Sequence, residues 1–307
     1  MRRSFYFAAV LLLLAPVLAA FVGGSIGGGI LHPYRLPLNS DRMKWAEKML
    51  EDTHATKEDL VVRASDGIEL RGWKVRPRAP NGDWVLLYHG IADNRTGCSD
   101  HGEFLLRHGY SLVMMDSRAQ GESSGDMATF GWKERNDSVA ITDALYAGEK
   151  VRHLYALGVS MGAAIALQSA AVEPRIQAVV AEDPFADLRE VSYDYAGLSL
   201  CSWLGKSLFR PAVNSAMSSV QKEGGFNPED VSPEKAVAAR PFPVLLICGT
   251  RDRRIPCRHA ERIYNAATGP KELWVVKSAE HASALGRAPA EYERRTIALF
   301  EKFPENH

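Results

Sequence analysis

Short runs of consecutive apolar residues alternate with segments of helical spacing along most of the chain. The runs have the length of strands buried on both faces of a sheet, and the segments between them favour helices. Strands are predicted at residues 84–88, 112–115, 153–157, 176–181, 244–248 and 272–276, and helices at about 43–56, 102–108, 133–148, 163–168 and 291–300. This alternation predicts an α/β fold with a mostly parallel, doubly wound sheet.

Two parts of the chain depart from this alternation. Strands predicted at residues 60–63 and 68–73 precede the parallel runs and are joined at Asp66-Gly67, a dipeptide typical of hairpins. From about residue 184 to about residue 240 the strand pattern pauses, which predicts a small helical cap inserted into the domain. With no linker in the middle of the chain, residues 32–307 are predicted to form one domain that includes this cap.

The first 31 residues differ from the rest in their hydrophobicity. Arg2 and Arg3 precede an uncharged apolar stretch at residues 5–22, which is typical of a signal peptide or of an N-terminal membrane anchor. The small side chains of Val17 and Ala19 favour cleavage, whereas the apolar run that continues past Ala20 favours an anchor. Both alternatives stay open. Both predict a membrane-anchored or secreted protein whose domain lies on the non-cytoplasmic side, because the arginines stay in the cytoplasm.

Composition and charge narrow the class of function. Hydrophobic residues make up 46% of the chain and charged residues 24%, and Lys+Arg equal Asp+Glu at 37 each. Without a basic block, a nucleic-acid partner is not expected. The four cysteines show no metal-binding spacing, and neither a Walker loop nor a GxGxxG turn occurs, so no metal or organic cofactor is predicted. Cys248 lies in a predicted buried strand, where a small hydrophobic role is the default and a disulfide is the alternative.

Candidate chemistry is expected where the predicted parallel strands end, since sites in such sheets lie beyond the carboxyl ends of the strands. The residues at these positions are His89, Gly90, Ile91, Asp116, Ser160, Asp183, Asp252 and His281. Ser160 is the centre of the pentapeptide Gly158-Val159-Ser160-Met161-Gly162, between a strand and a helix. A GxSxG sequence in this context predicts a nucleophile elbow, a sharp turn that exposes the serine hydroxyl.

A serine hydroxyl needs a base within hydrogen-bond reach and a third group that orients the base. We predict His281 as the base and Asp252 as the orienting acid, because both follow late strands and the order Ser, Asp, His matches this turn. Asp183 remains an alternative acid because it also follows a strand. His259, expected on a surface helix, and His89, expected to brace a loop, are weaker candidates for the base.

Taken in order, these motifs resemble the α/β-hydrolase superfamily over roughly residues 60–303. The segments 66–73 and 88–90, with the pentapeptide, Asp252 and His281, are similar to the membrane-tethered Bem46-like group within it. The resemblance implies an oxyanion hole formed by the backbone N–H groups of Ile91 and Met161. It also implies that residues 116–123 form a structural turn. Ala119 replaces a glycine common at that point, which requires a negative φ there.

The predicted function is therefore that of a serine hydrolase acting on carboxylic ester or thioester bonds through an acyl-enzyme intermediate. The apolar cap favours a small, hydrophobic ester or acyl substrate, although a cap also needs apolar residues for its own core. A peptidase of the prolyl-oligopeptidase type is the first alternative, because it uses the same triad. A catalytically silent, membrane-tethered binding protein and a lipid carrier are the alternatives without catalysis.

Overall fold

The computed structural model describes residues 29–195 and 202–302, and within them eight strands form one sheet. The strands are β1 (Thr56–Arg63), β2 (Glu69–Arg76), β3 (Trp84–Tyr88), β4 (Ser111–Met115), β5 (Leu154–Val159), β6 (Ile176–Glu182), β7 (Val244–Gly249) and β8 (Lys271–Val276). The α-helices are α1 (Ser40–Thr53), α2 (Ser99–Arg107), α3 (Glu134–Gly148), α4 (Met161–Val172), α5 (Leu188–Tyr195), α6 (Ser202–Gly224), α7 (Pro233–Ala239), α8 (Arg258–Ala266), α9 (Ala284–Arg287) and α10 (Pro289–Lys302). Short 3-10 helices span Arg95–Cys98 and Pro228–Asp230.

The strand order is β1-β2-β4-β3-β5-β6-β7-β8. Strands β1 and β2 form an antiparallel hairpin whose turn contains Gly67 at a φ of 87°, and β2 also pairs antiparallel with β4. All other pairs are parallel. The predicted mostly parallel, doubly wound sheet is confirmed, and the predicted hairpin at Asp66-Gly67 forms its antiparallel edge.

Both faces of the central strands are covered, which explains their uninterrupted apolar sequences. Every residue of β3, β5, β6 and β7 is buried. Successive side chains enter two different cores: Leu86 belongs to one hydrophobic cluster, and Val85 and Leu87 to the other. The carboxyl ends of these four strands therefore form one rigid edge from which polar side chains can project.

Among the described residues between β6 and β7, in the stretch that was predicted as a cap, the α-helices are α5, α6 and α7. Phe185, Leu188 and Met217 are buried there, whereas Tyr195 is about half exposed. Residues 196–201 of the predicted cap, including Leu198 and Leu200, lie outside the described residues, and the side chains at 202–209 are not described.

The N-terminal part of the described chain packs against the domain. Leu31 is fully buried, and its carbonyl accepts a hydrogen bond from the Ala128 N–H. The His32 ring contacts Glu223 of α6, and Arg35 donates to the carbonyl of Gly125. The predicted signal peptide or anchor, as far as residue 28, lies outside the described residues. Among the helices that are described, none is long and apolar enough to cross a membrane.

A disulfide joins Cys248 in β7 to Cys257 at the start of α8. The default prediction of a small hydrophobic role for Cys248 was therefore wrong. The strand pattern places Cys248 in the core but says nothing of where the loop after β7 returns. The bridge closes the loop that contains Asp252, and Cys98 is a free, buried cysteine.

Candidate active site

Ser160 lies on a tight turn between β5 and α4. Its φ of 58° and ψ of −119° lie in a backbone region that residues other than glycine rarely adopt. Its N–H donates to the Glu182 carbonyl of the neighbouring strand. A Cβ on Gly158 would lie 2.2 Å from the Gly162 carbonyl oxygen, and one on Gly162 would lie 2.1 Å from that of Tyr88. Both glycines are therefore required by the close approach of β5, α4 and β3 around the serine.

The structure brings Ser160, His281 and Asp252 together. The Ser160 hydroxyl lies 2.9 Å from His281 Nε2, and His281 Nδ1 lies 2.7 Å from an Asp252 carboxylate oxygen. With Nδ1–H donating to the carboxylate, Nε2 is free to accept the serine proton. The Asp252 side chain is fully buried and that of His281 is 11% exposed, so little water competes for these contacts.

Two loops hold the acid and the base in place. Asp252 follows β7, and its second carboxylate oxygen accepts the N–H groups of Arg254 and Ile255. The Arg251 N–H donates to the Ala279 carbonyl, which ties this loop to the one that contains His281. Backbone hydrogen bonds thus fix both side chains relative to the ends of β7 and β8.

Asp183 is a second carboxylate near the base. One of its oxygens lies 3.8 Å from His281 Nδ1 and accepts the Ala282 N–H, and the other accepts the Gly249 N–H. Asp252 therefore makes the direct contact with the histidine, and Asp183 borders it. Burial raises the pKa of Asp183, and the negative charges of Glu182 and Asp252 raise this pKa further.

Glu182 was not predicted as part of the site. Its carboxylate is buried, accepts the Ala284 N–H and lies 3.3 Å from His101 Nε2. Its backbone carbonyl also accepts the Ser160 N–H. A glutamate at the end of the mostly apolar run of β6 was the available sequence signal, because a buried charge needs partners.

Of the predicted oxyanion-hole residues, Met161 directly follows Ser160 and Ile91 lines the same cavity. Met161 begins α4, whose first N–H groups have no partner within the helix. Ile91 lines the same cavity as Ser160, and a Cβ on Gly90 would lie 3.8 Å from the Ser160 Cβ. His89 braces this loop as expected, since its Nε2 accepts the Ser117 N–H and its Nδ1 contacts the Gly90 carbonyl.

Residues 116–123 form a hydrogen-bonded turn beside this loop. Asp116 accepts from the backbone and side chain of Arg95, and Arg118 pairs with Asp137. Ala119 has a φ of 62°, so the expected negative φ was wrong. The strain is tolerated because the N–H of Ala119 donates to the Ser124 carbonyl, which closes the turn.

His259 was expected on a surface helix, and the structure corrects this. It lies in α8 but is fully buried, with Nδ1 accepting the Ala186 N–H and Nε2 2.8 Å from Asp194. Helical spacing alone does not identify which face of α8 packs inward. His259 therefore ties α8 to the chain after β6, and both of its ring nitrogens are engaged there.

Three ligand-type side chains, Asp183, Asp252 and His281, have atoms within 4.8 Å of one another. Each carboxylate oxygen of this group already accepts an N–H. The two oxygens of Asp183 accept from Gly249 and Ala282. One oxygen of Asp252 accepts from His281, and the other accepts from the backbone of Arg254 and Ile255. Hydrogen bonding thus accounts for the arrangement of the cluster.

Two cavities meet at His281, the predicted catalytic base. One, of about 680 Å³, is lined by Ser160, Ile91 and Tyr195, among others. The other, of about 750 Å³, is lined by Thr250, Asp252 and Glu280 together with three arginines. His281 and Arg254 line both cavities, and Arg254 was not predicted as a site residue.

The eight-stranded sheet and the serine at a strand-to-helix turn are those of the α/β-hydrolase class, and the predicted acid and base follow its late strands. Residues 79–236 match the model of the family described as serine aminopeptidase, S33, and the chain belongs to this family of α/β hydrolases. It is therefore a serine hydrolase.

Relatives in curated collections are similar over most of the chain. The uncharacterized protein YqkD of Bacillus subtilis is 28% identical over 250 residues, which are 80% of this chain and 79% of that protein. The uncharacterized protein YfhR of Escherichia coli K12 is 25% identical over 248 residues, 79% and 80% of the two chains.

Solved structures share the fold. An esterase of Pyrococcus furiosus, Pf2001, superposes with a TM-score of 0.72 at 23% identity and covers 90% of this chain and 99% of its own. An acylaminoacyl peptidase of Pyrococcus horikoshii superposes with a TM-score of 0.62 at 16% identity, over 82% of this chain and 42% of its own. At these identities the likeness establishes the α/β-hydrolase fold.

Proposed function

We propose that the protein hydrolyses carboxylic ester or thioester bonds, with Ser160 as nucleophile, His281 as base and Asp252 as orienting acid. The observation that supports this most directly is the continuous pair of hydrogen bonds, 2.9 Å from Ser160 to His281 and 2.7 Å from His281 to Asp252. These distances are those of a nucleophile activated by an oriented base.

In the proposed reaction the Ser160 hydroxyl oxygen attacks the substrate carbonyl while its proton passes to His281 Nε2. The buried Asp252 carboxylate holds the Nδ1–H and stabilises the imidazolium that forms. The N–H groups of Ile91 and Met161 donate to the oxyanion, and each such donor is worth about 3 kcal/mol of barrier. His281 then protonates the leaving group, and a water molecule, activated by the same histidine, releases the acyl group.

We propose that residues 184–240 act as a cap that shapes the acyl pocket for a small hydrophobic substrate. Tyr195, at the end of α5, lines the cavity that contains Ser160, which supports a contact between this insertion and the substrate. The cavity is also lined by Ile91 and Leu285, which offer apolar surface to an acyl chain.

A peptidase activity is the second candidate. The family is described as serine aminopeptidase, and one neighbouring structure is an acylaminoacyl peptidase. The two activities share the triad and differ in the leaving group. Amino-acyl and acetyl-amino-acyl p-nitroanilides test this candidate, because a peptidase releases nitroaniline from them and a pure esterase does not.

We further propose that the chain has the membrane topology of the Bem46-like group, which it resembles. Residues 1–31 would be a signal peptide or membrane anchor, and the hydrolase domain would lie on the non-cytoplasmic side. The Cys248–Cys257 disulfide supports this, because disulfides persist mainly in oxidising compartments. Fractionation of expressing cells, with N-terminal sequencing of the mature chain, separates a cleaved from an uncleaved segment. A cytosolic, uncleaved chain in the soluble fraction would contradict both.

The test of catalysis labels the full-length protein with a fluorophosphonate probe and measures hydrolysis of p-nitrophenyl esters of increasing chain length. Wild type is expected to be labelled and Ser160→Ala is not, with kcat lowered about 10⁵-fold or more. Ser218→Ala, on the exposed part of α6, is the matched control and is expected to behave as wild type.

Absence of labelling together with absence of ester and anilide hydrolysis would overturn the proposal. A silent binding protein or a lipid carrier would then be the better reading. Direct titration of a fluorescent fatty acid into the same preparation distinguishes these from each other, because only a carrier binds the acyl chain tightly.

A further inference from the structure

Three arginines surround the acid of the site. Arg251, Arg253 and Arg254 flank Asp252, are exposed, and line the cavity of about 750 Å³ that His281 also lines. Arg254 and His281 line the adjoining cavity of Ser160 as well. Arg254 therefore lies in the cavity of the reacting serine, and Arg251 and Arg253 lie in the cavity that adjoins it.

The backbone that supports these arginines is well fixed. The Arg254 N–H donates to Asp252 at 2.8 Å and the Arg251 N–H to Ala279 at 2.8 Å. The Cys248–Cys257 disulfide joins the two ends of the loop. A fixed backbone reduces the conformational entropy that the loop itself loses when its side chains bind a ligand.

Arginines a little further along the chain are neutralised by protein carboxylates. Arg258 pairs with Asp194, and Arg262 pairs with Asp187 and Glu234. In the part of the chain that the structure describes, no carboxylate lies within ion-pair distance of the three loop arginines. Asp252 makes no ion pair with them, because its buried carboxylate accepts His281 and backbone N–H groups; its negative charge offsets one of the three positive charges.

Two carboxylates, those of Asp252 and Glu280, face the same cavity. Glu280 lines it, is exposed, and donates its N–H to the Ser283 hydroxyl. With three guanidinium groups against these two carboxylates, the wall of this cavity carries an excess of positive charge. Guanidinium groups bind carboxylates and phosphates with paired N–H donors.

We propose that Arg254, with Arg251 and Arg253, binds an anionic oxyacid group, a carboxylate or a phosphate, on the substrate whose carbonyl Ser160 attacks. This inference rests on the proposed function and specifies its substrate class: an ester that is apolar near the carbonyl and anionic beyond it. The arginines are positioning residues, since they hold the far end of the substrate and take no part in bond making.

The test compares substrates matched in length and differing in charge. Mono-p-nitrophenyl glutarate against p-nitrophenyl pentanoate places a carboxylate in the acyl arm. Butyryl glycerophosphate against monobutyrin, with the released acid titrated, places a phosphate in the alcohol arm. The measured quantity is the ratio of kcat/KM for the anionic ester to that for its neutral partner.

For wild type, this ratio is expected to exceed one in the arm that reaches the arginines and to fall as salt is added. Arg254→Gln is expected to lower it about tenfold, mainly through KM, because a partly exposed charged hydrogen bond is lost. Arg78→Gln is the control, since Arg78 is exposed on the loop before β3. That loop lies at the amino end of β3, whereas the site lies beyond the carboxyl ends of the parallel strands.

A ratio unaffected by Arg254→Gln and by the triple variant of the three arginines, in both arms, would overturn the inference. Failure of the proposed function is separable, because it would abolish fluorophosphonate labelling and hydrolysis of the neutral esters in wild type. In that case calorimetric titration of monomethyl glutarate and of glycerophosphate still tests the inference. Binding lost in Arg254→Gln supports it, and no binding to wild type contradicts it.

Discussion

At the scale of single residues, the site depends on backbone positions that tolerate only certain side chains. Ser160 has a positive φ, and the two glycines of its pentapeptide lie where a Cβ would meet backbone oxygen atoms. Asp183, Ser278 and Ala282 also have positive φ values and lie around His281. Strained positions of this kind concentrate at functional sites, because the surrounding structure has to hold them.

Gly162→Ala is expected to destabilise the fold by about 3 kcal/mol, the upper end for overpacking, because the clash is with backbone that cannot move aside. Gly148→Ala is the matched control: it lies in helix α3 with no atom within 4 Å of its Cβ position. At that position alanine is expected to raise the free energy of unfolding by about 0.5–1 kcal/mol. Urea unfolding of both variants measures the difference, and equal effects would contradict the steric account.

Asp183 gives the molecule a pH dependence. Because its pKa is raised in the folded state, the fold binds its proton more tightly than the unfolded chain does. Its contribution to stability is therefore complete below about pH 4, the ordinary value for aspartate, and is lost as pH rises towards the raised pKa. The slope reaches about 1.4 kcal/mol per pH unit at most.

We therefore expect the free energy of unfolding of wild type, minus that of Asp183→Asn, to decrease as pH rises from 5 to 9. Asparagine cannot titrate, so subtracting it isolates the carboxyl group from the other titrating residues. Urea unfolding at successive pH values measures this difference. A difference that is constant, or that grows with pH, would contradict a raised pKa for Asp183.

At the scale of elements, the loop after β7 does more than connect β7 to α8. It places Asp252 against His281 and presents three arginines, and the Cys248–Cys257 bridge joins its two ends. A Cβ on Gly249 would lie 2.4 Å from the Ala279 carbonyl oxygen, so this loop and the His281 loop are in close contact. Loosening one of them is expected to disturb the other.

Reduction of the disulfide is expected to lower the free energy of unfolding by about 2–3 kcal/mol, because a loop of about ten residues regains entropy in the unfolded chain. It is also expected to lower kcat about tenfold, because the orientation of Asp252 relaxes. Cys248→Ala/Cys257→Ala should match the reduced protein and no longer respond to dithiothreitol.

Thiol titration of the denatured protein before and after reduction checks that the bridge is present. Cys98→Ala, at a buried cysteine outside the bridge, is the control and should keep the response to reductant. Wild-type activity that is indifferent to reduction, with the bridge shown to be broken, would contradict a positioning role.

At the scale of the whole molecule, the segment before α1 is part of the domain. Leu31 is fully buried in the same core as strand residues such as Leu86. His32 contacts Glu223 of α6, and this hydrogen bond raises the pKa of His32. The chain from residue 29 onward is thereby tied to the helices between β6 and β7, which belong to the region proposed as the cap.

Leu31→Ala is accordingly expected to lower the free energy of unfolding by about 2–4 kcal/mol, the range for a leucine truncated in a packed core. Tyr34→Ala, three residues further on and 69% exposed, should change it by less than about 0.5 kcal/mol. Thermal or urea unfolding of the full chain measures both. A Leu31 variant as stable as the Tyr34 variant would show that this packing adds nothing.

The hydrophobic pattern predicted the sheet and the order of its elements because strands buried on both faces read as continuous apolar runs. Ser160, His281 and Asp252 were predicted from the sequence as site residues because each follows a strand, and the carboxyl ends of parallel strands meet at one edge. Local sequence accounts for glycine at 158, whose Cβ would meet the Gly162 carbonyl, whereas the need for glycine at 162 arises from the Tyr88 backbone of β3, which is distant in sequence.

Other features depend on contacts between segments distant in sequence, and only the tertiary structure decided them. It made Asp252 the partner of His281 with Asp183 at its side, joined Cys248 to Cys257, and buried His259. Helical spacing and strand pattern do not specify which loops approach each other or which face of a helix turns inward. The sequence by itself therefore determined which chemical groups stand at the edge of the sheet, whereas packing determined which of them touch.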